Sequence, residues 1–301
     1  MDATMRRLCQ GLVMGAVGAA TGVASVAFLV LATHAAAVSD AGASDSALND
    51  AVGARLIAAY PEQGLRIEGG TLIWRDGTRM PLDDGRGIKP LKEWLENSDI
   101  GDMFAQPYVP GDAAGPPAKD QDPGRARNAA FFDKMYGDCR NGDVATHLAD
   151  VVWLPHKSGQ HLRVTSINGV DKKLAALSNE LDQLPPPFDK FLIPSEGTYA
   201  CRVIAGTARV SAHGHGIAID IATKHAHYWR WAKEEPRPEG DDGAIAYHNE
   251  IPVEIVRIFE KHGFIWGGKW HHYDTMHFEY RPELLPVDGA AGIPNGASPV
   301  P

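Results

Sequence analysis

Two stretches of this 301-residue chain carry the types of side chain that bind metal ions. The first, 211–220, reads Ser-Ala-His-Gly-His-Gly-Ile-Ala-Ile-Asp and predicts a loop that leads into a half-buried strand. The glycines of this loop permit a tight turn, so that His213 can fold back toward Asp220 in the strand. An imidazole and a carboxylate placed in this way are candidate zinc ligands.

The second stretch, 267–280, contains three histidines and two carboxylates. His277 and Glu279 fall on one face of a predicted strand, and Asp274 precedes that histidine by three residues. Two nitrogen ligands and one carboxylate ligand leave a fourth position of zinc open for water, with one more carboxylate nearby. The two stretches together therefore predict a hydrolytic zinc centre.

The pattern Ser-x-His-x-x-Gly-x-Ala-x-Asp, followed by Asp-x-x-His-Phe-Glu, resembles the D-alanyl-D-alanine carboxypeptidase family of zinc metallopeptidases. This family includes VanY-like carboxypeptidases and phage L-alanyl-D-glutamate endopeptidases, and the resemblance covers residues 168–285. It implies that His213, Asp220 and His277 hold Zn²⁺ and that Asp274 is the general base. It also implies that the substrates are peptidoglycan stem peptides, cut at an amide next to a D-amino acid.

Further residues are expected around such a centre. In the family an arginine upstream of the first motif polarises the scissile carbonyl or holds a substrate carboxylate, and Arg202 stands in this region. A structural ion pair is the alternative for this arginine. Glu279 is a candidate for orienting a ligand, and Ser211 for hydrogen bonding to the motif loop. Trp270, His271 and Tyr273 are also expected either to contact the substrate or to support the metal ligands from behind.

Other histidines compete for the metal, because the chain contains 13 of them. The nearest competitor is His215, whose spacing to Asp220 is five residues rather than seven, and the family pattern selects His213. A second pair, His225 and His227, is also two residues apart but lacks an acidic partner at a matching distance in sequence.

The first 37 residues predict a secretory signal peptide. Arg6 and Arg7 precede an uncharged apolar run, 10–33, and Ala35–Ala37 offers a small-residue cleavage site. We therefore expect export across the inner membrane to the periplasm or cell envelope. The alternative is an uncleaved anchor, since the run is about as long as a membrane helix; contact with the membrane would then be limited to this segment.

Cys139 and Cys201 remain after the predicted cleavage, which would remove Cys9. Two cysteines in an exported chain favour a disulfide, because the compartment is oxidising. Two separate buried thiols are the alternative.

Composition is that of a globular protein, with 44% hydrophobic and 22% charged residues. The net charge is −9 and no long basic cluster occurs, so no nucleic-acid partner is expected. The predicted organisation is a signal peptide or anchor (1–37), a spacer and accessory N-terminal segment (38–125), a zinc peptidase catalytic domain (126–288) and a flexible tail (289–301).

Strands and helices follow one another without regular alternation, which predicts an α+β fold with an antiparallel sheet flanked by helices. The clearest signals are a hairpin in 65–74 and amphipathic helices in 170–184 and from Pro252 to Gly263. Residues 110–124 predict an exposed loop, and 234–243 a surface insertion. The family resemblance implies a Hedgehog/DD-peptidase-like zinc peptidase fold.

Two alternatives to an active peptidase remain open. One is a peptidoglycan-binding module that has kept the fold and lost catalysis. The other is a cell-envelope protein that uses zinc only for structure; it would need a fourth protein ligand, for which His215 and His271 are candidates.

Overall fold

The computed structural model describes residues 47–112, 115–204, 206–231 and 245–286. All of them belong to one compact unit, 46–301. The predicted signal peptide, the 234–243 insertion and the 289–301 tail lie outside the described residues. Within these ranges, no helix has the length and apolar character needed to cross a membrane.

Short helices and short strands alternate irregularly along the chain. The helices are α1 (which includes 47–59), α2 (Leu91–Glu96), α3 (Ala129–Tyr136), α4 (Val170–Leu181), α5 (Asp189–Leu192) and α6 (Val253–Lys261). The strands are β1 (Arg66–Glu68), β2 (Thr71–Ile73), β3 (Arg79–Pro81), β4 (Leu148–Trp153), β5 (Gln160–Thr165), β6 (Ala218–Asp220), β7 (Phe264–Trp266) and β8 (His277–Tyr280).

The strands described form three small antiparallel sheets, ordered β1–β2–β3, β4–β5 and β6–β8–β7. The predicted α+β class is thus confirmed. The prediction of a single sheet is wrong, because the described strands are divided among three small antiparallel sheets. The predicted hairpin is present as β1 and β2, with Glu68 paired to Thr71 across the Gly69–Gly70 turn.

The second sheet packs against α4, the helix predicted from apolar periodicity. Its buried side chains Val170, Leu174, Leu177 and Leu181 recur at helical spacing and form one face. The helix ends at Leu181, three residues before its predicted end, and the chain then reaches the prolines at 185–187.

The third sheet is the most deeply buried, and β8 is its central strand. Every residue of β8 is buried, because the strand is covered on both faces. On one side Phe278 stacks on Phe259 of α6, with ring centroids 3.7 Å apart. This packing fixes the strand that carries His277.

The N-terminal segment shares its hydrophobic core with the rest of the described chain. Tyr60, Trp74 and Phe131 belong to the same cluster of buried side chains as Phe259 and Phe278. The rings of Tyr60 and Trp74 both contact Phe131 of α3, at centroid distances of 6.2 and 5.6 Å.

The prediction that 110–124 is wholly exposed is wrong at its C-terminal end. Asp122, Pro123 and Gly124 are buried, because residues 120–125, here called the arm, are hydrogen-bonded to the second motif. The indole Nε1 of Trp270 donates to the Pro123 carbonyl at 2.8 Å, and the His271 backbone N–H donates to the Gln121 carbonyl at 2.7 Å. Turn-rich composition predicts a loop but not what the loop packs against.

Candidate metal centre

Strand pairing brings together two of the predicted ligands. In the register of β6 and β8, Asp220 lies directly opposite His277. Opposed residues of an antiparallel pair point to the same face, with Cβ atoms about 4.5–5.5 Å apart. The Oδ1 atom of Asp220 accordingly lies 3.0 Å from Nδ1 of His277, although 57 residues separate them in sequence.

The third predicted ligand, His213, is carried by a short 3-10 helix, Ala212–His215, just before β6. Ser211 caps this helix, and its hydroxyl accepts a hydrogen bond from the His213 backbone N–H at 3.4 Å. Gly216 follows with a left-handed φ of 69° and turns the chain into the strand. A Cβ atom at that glycine would lie only 3.0 Å from the backbone nitrogen of Thr165.

The three ligand-type atoms form a compact triangle. Nε2 of His213 lies 3.2 Å from Oδ1 of Asp220 and 3.2 Å from Nδ1 of His277, and the third side is 3.0 Å. Ligand atoms around a tetrahedral zinc ion are about 3.3–3.6 Å apart, given bond lengths of about 2.0–2.2 Å. The triangle thus resembles one face of such a tetrahedron, and the residues fit a zinc ion with one position left for water.

Hydrogen bonds on the far side of each ring set which nitrogen faces the triangle. Nδ1 of His213 lies 2.5 Å from the Thr198 carbonyl, to which it can only donate, so in the neutral imidazole Nε2 carries the lone pair. Nε2 of His277 lies 3.2 Å from Oε2 of Glu279, which leaves Nδ1 for a metal. A carbonyl or carboxylate partner of this kind is usual behind metal-bound histidines.

Without a cation, the buried ligands hold opposite charges. Burial alone would lower the pKa of His277, but hydrogen bonds to Asp220 and Glu279 outweigh it and raise that pKa. Burial would raise the pKa of Asp220, yet the two histidines hold it well below its ordinary value. Metal binding would therefore have to displace a proton from the imidazole of His277.

Asp274 lies in the same cleft, outside the triangle of mutually close ligand atoms. Its Oδ1 atom is buried and has no hydrogen-bond partner among the described residues. Burial raises the pKa of this carboxyl group, and the negative charge of Asp220 adds to the effect. A buried carboxylate oxygen without a partner is costly, so its position beside the ligands suits a group that exchanges a proton during a reaction.

The cleft around these residues has a volume of about 320 Å³. Besides the triangle and Asp274, its lining includes Arg125, Arg127, Arg202, Ser211, Tyr228, Trp229, Trp231, Trp270, His272 and Met276. The predicted residues Arg202, Ser211 and Trp270 thus face the cleft, whereas Glu279 lies behind His277.

Two residues expected near the site do not line the cleft. The hydroxyl of Tyr273 donates to the Ala246 carbonyl, and its ring packs on Tyr247. His271 is turned toward the arm, with Nδ1 3.7 Å from a carboxylate oxygen of Asp120. Its neighbour His272 occupies the cleft wall instead.

The competing histidines are engaged elsewhere. Nδ1 of His215 lies 3.1 Å from the Gly137 carbonyl, and this residue is absent from the triangle. His225 and His227 both face the carboxylate of Glu250, at 3.2 and 3.1 Å.

The contribution of the arm to the cleft was not predicted from the sequence. Nη1 of Arg125 donates to the buried carboxylate of Asp122 at 2.8 Å, and that carboxylate also lies 2.7 Å from Nδ1 of His272. Arg127, just beyond the arm, pairs with Glu279 at 2.7 Å. Residues 122–127 read as a turn and show no periodicity, so no local signal indicates their role.

The expected disulfide is confirmed, since Cys139 and Cys201 are bonded in the structure. It joins the short 3-10 helix that follows α3 to the segment that leads to Arg202. Near Arg202 the described backbone forms no strand, and a single bridge pairs Val203 with Val210.

The fold and the site together define an α+β protein with a candidate hydrolytic metal centre. Residues 205–280 match the model of a family described as D-alanyl-D-alanine carboxypeptidase. The match supports a peptidase; it spans 76 of the 301 residues and contains the triangle and Asp274, but neither Arg202 nor the arm. Comparisons with curated proteins and with solved structures gave no match.

Proposed function

We propose that the protein is an exported zinc-dependent peptidase that hydrolyses amide bonds in peptidoglycan stem peptides. The observation that carries this proposal is the triangle of His213, Asp220 and His277, with the unpaired carboxylate oxygen of Asp274 in the same cleft. The family match over 205–280 supports the same reaction and substrate class.

In this proposal His213, Asp220 and His277 hold Zn²⁺. A bound zinc ion lowers the pKa of a water molecule and polarises the amide carbonyl. Asp274 accepts the proton of the attacking water through its free oxygen and then delivers it to the leaving amine. The Thr198 carbonyl and Glu279 keep the two imidazoles oriented throughout.

The cationic groups of the cleft suit an anionic peptide. Arg202 and Arg125 both line it, and guanidinium groups bind carboxylates through charge-assisted, often bidentate hydrogen bonds. Stem peptides carry such carboxylates at their termini and side chains. The bond cut is either the terminal D-Ala–D-Ala bond or an internal L-Ala–D-Glu bond.

The structural-zinc alternative requires a fourth protein ligand. Neither His215 nor His271 belongs to the triangle, whose group of mutually close ligand atoms has three members among the described residues. An open site favours catalysis over structure. The inactive binding module is disfavoured because Asp274 is also in the cleft.

We also propose that the protein is exported and that it has a Hedgehog/DD-peptidase-like fold. The Cys139–Cys201 disulfide supports an oxidising compartment, where peptidoglycan is also found.

The test is mass spectrometry of peptidoglycan fragments incubated with the purified full-length protein, with zinc added and with zinc removed by a chelator. We expect zinc-dependent loss of a terminal D-Ala or zinc-dependent separation of L-Ala from D-Glu. Unchanged fragments in the presence of stoichiometrically bound zinc would rule out the proposed activity.

A further inference from the structure

A second cavity, of about 250 Å³, lies beside the catalytic cleft. Residues 202–204 and 206–210 contribute to both, with Val203 paired to Val210 and the Ile204 N–H donating to the Arg209 carbonyl. Arg202 and Ile204 face the cleft, whereas Arg209 and Val210 face the second cavity. None of the residues that bind metal or transfer the proton in the proposed reaction lines this cavity.

Arg209 is the unusual group of this cavity. Its side chain is only 9% exposed, yet Nε and Nη1 are buried and have no hydrogen-bond partner among the described residues. The nearest carboxylate, that of Glu96, is 3.7 Å from Nε, which is too long for a hydrogen bond. A buried guanidinium with unsatisfied donors is costly unless an acceptor can enter.

The other arginines that line the cavity already have partners. Arg127 is bonded to Glu279 at 2.7 Å, and Arg140 to Asp138 at 2.8 Å. The side chain of Arg140 is about half exposed, whereas that of Arg209 is almost completely buried. Arg209 is therefore the arginine of this cavity whose buried donors are left for an entering anion.

We propose that this cavity binds a small carboxylate, held by the free donors of Arg209. A singly charged carboxylate suits the site better than a phosphate dianion, because the carboxylates of Glu96 and Asp133 also line the cavity. The repulsion from these two groups grows with the charge of the ligand. The proposal does not depend on peptidase activity.

The test is thermal unfolding of the full-length protein, titrated with acetate, D-alanine or inorganic phosphate at constant ionic strength. A ligand that binds only the folded state raises Tm with concentration. We expect acetate and D-alanine to raise Tm of the wild type more than phosphate does. A larger shift with phosphate would overturn the assignment to a carboxylate.

Three variants test whether the rise in Tm comes from binding in this cavity. Arg209→Met should weaken the apparent acetate affinity about tenfold or more, while its Tm in chloride stays at or above that of the wild type. Glu96→Gln should tighten acetate binding about twofold to fivefold, because a competing carboxylate is gone. Arg257→Met, at an exposed surface ion pair, is the matched control and should titrate like the wild type.

Retention of the wild-type acetate response by Arg209→Met, or no tightening in Glu96→Gln, would overturn the proposal. Kinetics with stem peptides then identify the source of the carboxylate. A raised KM with unchanged kcat in Arg209→Met indicates a carboxylate of the substrate, whereas unchanged kinetics together with a lost acetate response indicate a free small carboxylate.

Discussion

At the scale of single residues, the cleft separates metal binding from proton transfer. The ligand-type atoms of His213, Asp220 and His277 lie 3.0–3.2 Å from one another. Asp274 is outside this triangle, and its Oδ1 atom has no hydrogen-bond partner among the described residues. The two roles should therefore respond differently to substitution.

Substitution of Asp274 by Asn tests the proton-transfer role. We expect the variant to bind zinc like the wild type, since Asp274 is outside the triangle, and to lose about 10²–10⁴-fold in kcat, the usual contribution of a general base. Zinc content by elemental analysis and product release by mass spectrometry measure the two quantities. Full activity of the variant would contradict the assignment.

His213 and His215 form a matched pair for the metal-binding role, because both are buried in the same 3-10 helix. His213→Ala should abolish stoichiometric zinc binding, since it removes one corner of the triangle. His215→Ala should keep it, since that ring faces the Gly137 carbonyl instead. Titration against a zinc-sensitive dye distinguishes them, and the reverse result would show that the wrong histidine is assigned to the metal.

At the scale of elements, the segments between the helices and strands hold the site together as much as the strands do. The disulfide ties the segment before the first motif to the short 3-10 helix that follows α3. The arm is bonded to the second motif through backbone and side-chain groups. Neither contact follows from periodicity.

The disulfide should contribute strongly to stability, because Cys139 and Cys201 are 62 residues apart. The chain-entropy model gives about 4 kcal/mol for a loop of this length. The Cys139→Ser/Cys201→Ser double variant should therefore unfold at a lower urea concentration than the oxidised wild type. Reduction should bring the wild type to the midpoint of the variant and leave the variant unchanged; equal midpoints for the oxidised wild type and the variant would refute this.

The arm should make stability depend on pH. Burial alone would raise the pKa of Asp122, but the charge of Arg125 and the hydrogen bonds with His272 outweigh it and hold the pKa well below its ordinary value. A carboxyl group whose pKa is depressed by folding stabilises the protein above its unfolded pKa of about 3.9, and the effect disappears as pH falls toward the folded pKa.

We therefore expect Asp122→Asn to lower the free energy of unfolding by about 1–3 kcal/mol at pH 7, and by less at pH 3, which lies below the unfolded pKa. Urea unfolding at both pH values measures the difference. Asp112→Asn, at an exposed carboxylate, should stay within about 0.5 kcal/mol of the wild type at either pH. A deficit of Asp122→Asn that does not shrink on acidification would argue against the ion pair as the cause.

At the scale of the whole molecule, a buried charge network joins the N-terminal segment to the strand that carries the metal site. Arg281 is fully buried and contacts Glu279 at 3.1 Å, Glu283 at 2.5 Å and the Gly124 carbonyl at 2.6 Å. The hydroxyl of Tyr60 donates to the same Glu283 at 2.6 Å.

Removal of Arg281 should therefore destabilise the described unit as a whole. Arg281→Met leaves the buried carboxylate of Glu283 without its cation and leaves Glu279 with Arg127 alone, and breaking a buried ion pair typically costs about 3–5 kcal/mol. Urea unfolding measures this loss, and Arg79→Met on β3, where the arginine side chain is 56% exposed, serves as the control. Equal losses in the two variants would show that burial of the network is unimportant.

The sequence by itself identified the residues of the triangle and Asp274, because His213, Asp220, Asp274 and His277 stand in two short patterns whose spacing reflects local geometry. It also predicted the first hairpin and α4, whose signals are turn glycines and helical periodicity. The disulfide was predicted because two cysteines remain after the expected cleavage and the expected compartment is oxidising. All of these features depend on residues close in sequence or on composition.

Only the tertiary structure decided which residues surround those ligands. The arm reads as an exposed turn, yet it places Arg125 in the cleft and buries Asp122 against His272, about 150 residues further along the chain. Likewise, only folding places the unsatisfied donors of Arg209 in the lining of the second cavity. Contacts of this range arise from packing of the whole core, and a local pattern does not encode the partner of a polar side chain.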